Sequence, residues 1–481
     1  MSLLSQRAEA TASRTVPPGR ILLIVCAGVV MASLDLFIVN VALPQIAADL
    51  HEPSLGTLSW VLNGYAIVYA ALLVLAGRLA DQHNRKNGFL LGVAIFTIGS
   101  AACGVAASVP MLIAFRLVQA AGAALLTPTS LGLVLASYPV ERRGGAVRAW
   151  TAAGGMAAAL GPVIGGLLVA ASWRWVFFVN VPVGLAALFL GWRQLPDVPG
   201  HPGARPDELS ALLVTAGVGG LTLGLVRGGE WGWGSARTAG VLAAAVLVLG
   251  LFALRCLRHH NPMIEPGLFR VRSFSGASMA TLLFSVSFGA MLLSVVLWLQ
   301  DAWGWSALKT GLGVAPGPLM VPLFSFLVTG RLLARYGPAA VIGFGATVFS
   351  AGIVWWSLAV AVHPNYLEIL PGMLITGIGV GLTLPSLMST AASSLPPPSF
   401  ATGSAVVNML RQVGFAVGVA MLVAVLGSPN GSSAELAAFR HGWYATAAAG
   451  FAAAVSATWL RRRSPASRRR DSVDGLAISS D

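Results

Sequence analysis

The chain has 481 residues, of which 56% are hydrophobic and only 10% are charged. A soluble domain usually carries about 25% charged residues, so this composition excludes an ordinary soluble protein and indicates a chain that crosses a bilayer many times. The formal net charge of +13 does not indicate a nucleic-acid partner, because the basic residues lie in short segments between apolar runs rather than on one folded face.

Fourteen apolar runs have about the 20 residues that a spanning helix needs. They cover residues 21–43, 58–77, 88–107, 110–136, 146–170, 175–193, 209–226, 238–256, 274–299, 311–333, 339–361, 367–391, 403–427 and 442–460. The run at 209–226 is the weakest, because four glycines reduce its hydrophobicity. The first run is about 20 residues long, which predicts a spanning helix that serves as its own signal rather than a cleaved peptide.

The distribution of basic residues predicts the orientation of the chain. With the N-terminus inside and fourteen spans, the inside segments hold 23 Lys and Arg residues and the outside segments hold 5. This excess follows the positive-inside rule and predicts that both termini are cytoplasmic. Arg greatly outnumbers Lys, with 28 against Lys86 and Lys309, and the chain is rich in Ala and Gly, which suggests a bacterial inner-membrane protein.

Two sequence patterns recur at nearly one offset. GRLADQHNRK starts at Gly77 and GRLLARYGPA starts at Gly330, while the LLTPTSL segment around Pro128 resembles the TLPSLM segment around Pro385. Parallel repeats of this kind are typical of transporters, although the small-residue bias of membrane helices could also produce the likeness. The sequence therefore predicts an all-α polytopic fold with a tail (1–20), a six-helix half (21–193), a linker with two additional spans (194–273), a second six-helix half (274–460) and a basic tail (461–481).

Asp35 is the only carboxylate deep inside a predicted span. A carboxylate there costs several kcal/mol and is rarely kept without a partner or a use. Arg116 on the fourth span lies at a similar depth, and Gln119 is one turn further along the same helix face. We expect Asp35 and Arg116 to form a pair whose strength depends on the protonation of Asp35. The alternatives are a carboxylate that only completes a polar network and a static ion pair between helices.

Two glycine-containing segments have the composition of conformational elements. In the turn at residues 77–86, which also carries Arg85 and Lys86, Gly77 would let helices approach closely, and Asp81 could accept hydrogen bonds from helix N-terminal amides or Arg groups. In LGPVIGGLL, Pro162 favours a bend, while three glycines give a smooth face: Gly161, Gly165 and Gly166. A basic topology loop and generic helix packing are the respective alternatives.

Three aromatic residues on the second span, Trp60, Tyr65 and Tyr69, are candidates for an amphipathic pocket together with Gln119. Aromatic residues in spans more often form interfacial belts or pack between helices. We find no metal-ligand cluster, no nucleophile–base pairing and no phosphate loop, so we expect neither an enzyme nor a cofactor. Cys26, Cys103 and Cys256 have no disulfide or metal spacing.

Several of these segments together resemble the fourteen-span drug:proton antiporters of the major facilitator superfamily, over about residues 20–460. LDLFIVNVALP is similar to that branch's first-helix motif, GRLADQHNRK to the superfamily's cytoplasmic gate motif, RLVQAAG to its fourth-helix motif and LGPVIGG to its antiporter motif. WRWVFFVNVPVG, at residues 173–184, is also similar to this branch. Asn84 departs from the glycine that is usual in the gate motif, which predicts a strained or altered turn.

The resemblance implies a proton-coupled exporter of amphipathic drugs or antibiotics, in which Asp35 has a functional role and Arg116 takes part in proton relay. A specific exporter of an endogenous metabolite or natural product would use the same mechanism, and a membrane sensor that transports nothing is a third possibility. The expected partners are an amphipathic small molecule, protons and the lipid bilayer, with the protein as a monomer.

The gate motif leads to a first prediction. We expect Asp81→Asn to impair transport without preventing insertion, because the neutral amide loses charge-assisted hydrogen bonds that hold one conformation closed. Substrate efflux is to be measured at matched membrane expression. Efflux equal to that of the unmodified protein would favour the topology-loop interpretation.

Overall fold

The computed structural model describes residues 16–200, 207–395, 400–427 and 431–460, and these ranges are helical throughout their regular structure, with no strand. The predicted tails fall largely outside them. The first helices are α1 (Pro18–Asp49), α2 (Leu55–Gln82), α3 (Arg85–Gly104), α4 (Val109–Ser137), α5 (Val140–Ala171) and, after the single turn Trp175–Phe178, α6 (Asn180–Gln194). They are followed by α7 (Glu208–Trp231) and α8 (Ala236–Arg258).

The remaining helices are more often interrupted. They are α9 (Arg272–Leu297), α10 (Ala307–Val314), α11 (Pro316–Phe324), α12 (Gly330–Ala359), α13 (Tyr366–Ser393), α14 (Phe400–Leu426) and α15 (Ser432–Ser456). Single π-helical turns, Trp298–Ala302 and Ser325–Thr329, follow α9 and α11. Within α12, Gly337 has non-helical backbone angles with φ of 76°, which glycine adopts without strain, so the helix is broken there.

The prediction of an all-α polytopic membrane protein is confirmed. Within the described residues, 11 helices are long and apolar enough to cross a bilayer, and 12 if the two bent parts of α5 count as one span. The predicted spans 311–333 and 339–361 correspond to the single run Ala307–Ala359, and most of the predicted span 442–460 lies in Ser432–Ser456, which is not among those 11. The first predicted span was too short, because α1 continues through Pro44 to Asp49.

Side-chain caps explain where many of the helices begin. The caps are Ser54, Asn84, Ser108, Asp207, Ser235 and Ser306, each of which accepts a hydrogen bond from a backbone N–H in the first turn of its helix. A cap of this type contributes about 1 kcal/mol. Polar residues in the short connections therefore fix the helix starts, while apolar length sets how far each helix runs.

Close contact between α3 and α4 depends on glycine. A Cβ added at Gly92 would lie 2.7 Å from the backbone nitrogen of Leu126, and one added at Gly99 would lie 2.9 Å from Cα of Gln119. Any larger residue at these positions would push the two helices apart. The tight approach at Gly99 brings Gln119 beside Ser100, next to the site described below.

Helices α7 and α8 form a hairpin on the outside of the bundle. Helix α7 packs against both α2 and α14, while α8 packs on α7. The glycines that weakened the predicted span at 209–226 form this contact: a Cβ at Gly217 would lie 2.7 Å from Leu249, and one at Gly220 would lie 3.2 Å from Ala245. The low hydrophobicity of the segment thus reflects its packing surface.

The two ends of the bundle differ in their connections. We call the end formed by residues 83–84, 138–139, 195–200 and 259–271 the basic face, and the end formed by residues 50–54, 105–108, 172–174, 232–235, 303–306 and 360–365 the opposite face. At the basic face, the buried side chain of Asp207 caps α7 and pairs with Arg255 of α8 at 2.9 Å. Burial raises the pKa of Asp207, but hydrogen bonds from Arg255 and Ser210 outweigh burial and hold the pKa below its ordinary value.

This carboxylate leads to a second prediction. Because its pKa is lower in the folded protein, Asp207 stabilises the fold above the unfolded-state pKa of about 3.9, and this contribution is lost as the pH falls through the lower folded-state value. At pH 7 we expect Asp207→Ala to lower the unfolding temperature more than Asp207→Asn, which can still cap α7. The differences in unfolding temperature between these variants and the unmodified protein should shrink as the pH falls below about 4.

Thermal unfolding of purified protein in detergent measures both effects. Glu208→Gln is the matched control, since Glu208 is the exposed neighbour in the first turn of α7. Unfolding of Asp207→Ala at the wild-type temperature at pH 7 would contradict the predicted contribution.

Candidate functional site

Asp35 lies in a fully buried polar cluster between the helices of the first half. Its side chain and that of Arg116 both have 0% exposure, and Nη1 of Arg116 donates to Oδ2 of Asp35. The other carboxylate oxygen, Oδ1, accepts from Nε2 of Gln119 at 2.8 Å and from Nδ2 of Asn180 at 3.3 Å. The predicted pairing of α1 with α4 is therefore present in the geometry, and Gln119 joins it.

The guanidinium of Arg116 is held from several sides. Its Nε donates to the backbone carbonyl of Val61 at 3.2 Å, and Nη1 also donates to Oε1 of Gln119 at 2.7 Å. Its central carbon lies 4.1 Å from the ring centroid of Tyr65, a cation–π distance. Nη2 is buried and has no hydrogen-bond partner within the described ranges. The arginine thus connects α1, α2 and α4, and the two N–H groups of Nη2 have no partner within the described ranges.

This arrangement fits an ionised carboxylate. Asp35 accepts from three N–H donors, and the arginine does not give up its proton in proteins. A proton on either oxygen would displace one of these donors, because the carboxyl group would then donate at that position. Removing one partner of a buried ion pair costs about 3–5 kcal/mol, so a change in protonation here favours a change in the surrounding helices.

Two residues of the cluster were missed by the sequence analysis. Asn180 lies directly after the short turn Trp175–Phe178 and is 2% exposed. An amide inside the apolar segment at residues 173–184 was a signal that could have identified it. Ser100 accepts from Nε2 of Gln119 at 2.6 Å, and a serine in a Gly- and Ala-rich helix gives no comparable signal.

The predicted pocket residues do not all lie together. Tyr65 and Tyr69 stack with ring centroids 5.9 Å apart and an interplanar angle of 26°, so they extend from Arg116 along α2. The hydroxyl of Tyr69 hydrogen-bonds with Thr127 of α4 at 3.1 Å. Trp60 packs partly buried against the apolar core. It is five residues from Tyr65 and therefore points in a different direction around the helix.

The gate segment forms contacts at the basic face. Arg85 donates from Nη1 to the carbonyl of Gly132 at 3.4 Å, and the Lys86 ammonium lies 3.9 Å from Asp197. A Cβ at Gly77 would lie 3.8 Å from Pro128, an ordinary contact, so the predicted close approach does not require glycine at this position. The side chain of Asp81 lies outside the described residues.

Asn84 accounts for the departure of this turn from the family pattern. Its Oδ1 accepts from the backbone N–H groups of Lys86 and Asn87 at 3.0 and 3.2 Å, which caps α3. Its φ of −61° is unstrained. The turn is therefore not strained, and it differs from the family pattern in that Asn84 caps a helix. Near the end of α2, Arg78, the residue after Gly77, donates from Nη2 to the carbonyl of Pro262 at 2.5 Å.

The LGPVIGG segment of α5 faces two neighbouring helices. A Cβ at Gly161 would lie 2.7 Å from Phe37, and one at Gly165 would lie 3.0 Å from Ile38, both on α1. A Cβ at Gly166 would lie 2.7 Å from the carbonyl of Ala307 and 3.2 Å from Cα of Gly311 on α10. The two parts of α5 meet at 43° just before Pro162, where proline removes a helical hydrogen bond.

Two further contacts join the first helices to the later ones. Gln300 donates to the carbonyl of Val41 at 3.0 Å, and the rings of Phe37 and Phe288 lie 6.0 Å apart in edge contact. Together with Gly166, they close the bundle toward the opposite face. Helices α2 and α14 form a second seam.

Comparison with known proteins gives a consistent result. The model of the Major Facilitator Superfamily matches residues 25–419 and 277–477. The chain is 34% identical to the tetracenomycin C resistance and export protein of Streptomyces glaucescens, covering 86% of this chain and 77% of that protein. It is 35% identical to the cephamycin export protein of Amycolatopsis lactamdurans, covering 88% of each. It is also 34% identical to the methylenomycin A resistance protein of Bacillus subtilis, covering 83% of this chain and 86% of that protein.

Solved structures share the fold at low sequence identity. The crystal structure of tetrameric PepTSo2 has a TM-score of 0.64 at 16% identity and covers 94% of this chain and 100% of its own. A POT family transporter in complex with 5-aminolevulinic acid has a TM-score of 0.66 at 15% identity, covering 93% of this chain and 97% of its own. At these identities the likeness concerns the fold.

The contact between α5 and α10 leads to a third prediction. We expect Gly166→Ala to lower the unfolding temperature, because an added methyl group would overlap the α10 backbone and overpacking costs about 1–3 kcal/mol. Gly155→Ala is the control on the same helix, since a Cβ there meets nothing within 4 Å. Alanine favours a helix over glycine by about 1 kcal/mol, so this variant should be neutral or more stable. Equal unfolding temperatures for the two variants would count against the tight seam.

Proposed function

The chain belongs to the Major Facilitator Superfamily, and we propose that it exports amphipathic drugs or antibiotics in exchange for protons. Export is supported by its relatives, three of which are named for resistance to or export of antibiotics. Proton coupling is supported by one observation above the others, the fully buried Asp35 hydrogen-bonded to Arg116, Gln119 and Asn180. We propose that Asp35 carries the proton and that Arg116 tunes its affinity for it.

A carrier of the coupled proton must bind and release it within one cycle. In the described arrangement Asp35 is surrounded by donors that favour its ionised form. Separation of α1 from α4 would remove Arg116 from the carboxylate and favour proton uptake, and their return would favour release. The free Nη2 donor of Arg116 gives the arginine a further position at which an acceptor can bind as the helices move.

The available energy is sufficient for concentrative export. One proton moving through a potential of ~100 mV supplies ~2.3 kcal/mol. Each 1.4 kcal/mol supports about a tenfold gradient. One coupled proton per cycle therefore supports a substrate gradient of roughly fortyfold, and a pH difference adds to it.

We propose fourteen spans in a bacterial inner membrane, with both termini cytoplasmic. The run Ala307–Ala359 has 53 residues, about twice the length of one span, and the non-helical Gly337 divides it into two parts. Helix α15 has 25 residues and packs between α9 and α12, where lower hydrophobicity is tolerated because its neighbours cover it. With α5 as one span, these two segments raise the count from 12 to fourteen.

The packing of α1–α6 against α9–α15 supports transport by alternating access. We propose that α1–α6 and α9–α15 rock about the α5–α10 and α2–α14 seams, with substrate bound between them. The basic face is then cytoplasmic and the opposite face is external. The contacts of Gly166 with α10 and of Gln300 with Val41 support a state that is closed to the outside.

Specific export of one natural product is a second candidate. Its support is that three relatives are each named for a single compound: tetracenomycin C, cephamycin and methylenomycin A. Resistance profiling in a pump-deficient host separates the two, because a multidrug exporter protects against chemically unrelated compounds and a specific exporter against one class. Both candidates use the same proton mechanism.

The role of Asp35 leads to a fourth prediction. In reconstituted protein driven by a pH gradient, we expect Asp35→Asn to abolish accumulation against a gradient, because the amide cannot exchange a proton. The test substrate is a compound to which the unmodified protein confers resistance. The fold should be retained, since asparagine has nearly the same shape and can still accept from Gln119 or Arg116.

Asp49→Asn is the matched control on the same helix. Asp49 ends α1 at the opposite face, where it accepts from Trp173 and Arg174, and we expect its variant to couple transport to protons normally. If Asp35→Asn concentrates substrate as well as the unmodified protein does, the coupling residue must be another group.

A further inference from the structure

A second arginine lies within a helix and has a different environment from Arg116. Arg411 is near the middle of α14, which packs against α9 on one side and α2 on the other. Its side chain is only partly buried. Within the described ranges it has neither a hydrogen bond nor an ion pair. A cation at this depth is costly unless a partner or water satisfies it, and such residues usually mark a functional pathway.

The neighbour of Arg411 places it between the two halves. Tyr69, on the facing helix α2, is near enough to Arg411 for the two side chains to interact electrostatically. Tyr69 is 8% exposed and hydrogen-bonds with Thr127 of α4, so its hydroxyl lies inside the first half. Helix α14 packs against α2 and α9, and none of its residues from 403 to 424 is exposed, so Arg411 lies within the bundle rather than against the lipid.

No carboxylate of the described residues is free to neutralise Arg411 at this depth. Asp35 is the carboxylate in the middle of the described helices, and Arg116, Gln119 and Asn180 already occupy its two oxygens. The Asp35–Arg116 pair has no net charge, so Arg411 leaves one uncompensated positive charge in the interior. A guanidinium stays protonated at any physiological pH and offers five N–H donors in a plane.

We infer that Arg411 and Tyr69 bind the acidic group of an amphipathic substrate. The inference rests on the proposed export function and narrows its substrate class to compounds that carry one carboxylate, sulfonate or phenolate. Arg411 supplies the charge and paired donors, and the Tyr69 hydroxyl supplies a further polar contact. The Tyr65–Tyr69 stack provides an apolar aromatic surface for the rest of the molecule.

Two buried side-chain oxygens without hydrogen-bond partners support a ligand at the contact between α2 and α14. Oε1 of Gln412, the residue after Arg411, is buried and lacks a hydrogen-bond partner in the described structure, and the same holds for Oδ1 of Asn63 on α2. Buried amide oxygens without partners are uncommon in folded proteins. They lie on the two helices that form the seam, where hydroxyl or amide groups of a bound molecule could donate to them.

The test uses two probes that differ by one acidic group. These are 8-anilinonaphthalene-1-sulfonate and its neutral parent N-phenyl-1-naphthylamine, titrated by fluorescence into protein in lipid nanodiscs, with empty nanodiscs subtracted. We expect saturable binding of the sulfonate to weaken at least tenfold in Arg411→Gln and less in Arg411→Lys, which keeps the charge but not the planar fork. The affinity of the neutral probe should change less than twofold.

Arg331→Gln is the charge-matched control. Arg331 is exposed on α12, so its loss removes one positive charge without altering the seam, and sulfonate affinity should be unchanged. Equal sulfonate affinity in wild type and Arg411→Gln, equal weakening of both probes, or no saturable sulfonate binding to wild type would each overturn the inference. Binding is measured without a gradient, so this result and that of Asp35→Asn can fail independently.

Stability of the ligand-free protein is the second readout. If Arg411 serves a ligand, its unpaired charge destabilises the empty protein, so Arg411→Gln should unfold at the wild-type temperature or above. If Arg411 instead holds helices together, Arg411→Gln should unfold at a lower temperature, as we expect for Arg116→Gln. A lowered unfolding temperature for Arg411→Gln would overturn the inference in favour of a structural role.

Discussion

The hydrogen bond between Arg116 and Asp35 connects two helices that lie far apart in the sequence, and most of the first half is arranged around it. Arg116 also holds the carbonyl of Val61 on α2, and Asp35 accepts from Asn180 at the start of α6. One charged pair thus has partners on four helices, and water is excluded from all of them. Because a low dielectric strengthens both the attraction and the cost of separation, a single proton on Asp35 affects the packing of four helices together.

Glycines allow the helices around this charged pair to pack closely. They allow backbones to approach at Gly99, which places Gln119 beside Ser100, and at Gly166, where α5 meets the later helices. At Gly99 the two backbones are so close that α3 and α4 cannot shift without displacing Gln119, so these helices hold the polar cluster in place.

The sequence predicted much of the fold and the centre of the site, for identifiable reasons. The length of each apolar run and the number of basic residues in each connection can be read from local sequence. The helices could therefore be located without knowing how they pack. Asp35 and Arg116 were identifiable because ionisable groups in apolar runs are costly, and Gln119 because it lies one turn from Arg116 on the same helix face. Trp60 does not share the face of Tyr65 and Tyr69, since membership of one helix does not place residues on one face. The contribution of Ser100 depends on the approach of α3 to α4, which no local pattern encodes.

The α7–α8 hairpin makes the molecule asymmetric in the plane of the membrane. Helix α7 lies across α2 and α14 and shields that seam from lipid, whereas α5 and α10 meet without a comparable hairpin in the described structure. A compound dissolved in the bilayer therefore encounters two unlike flanks, one covered by two additional helices and one at which α5 meets α10 and α11 directly. The hairpin therefore makes one flank of the bundle less accessible from the surrounding bilayer than the other.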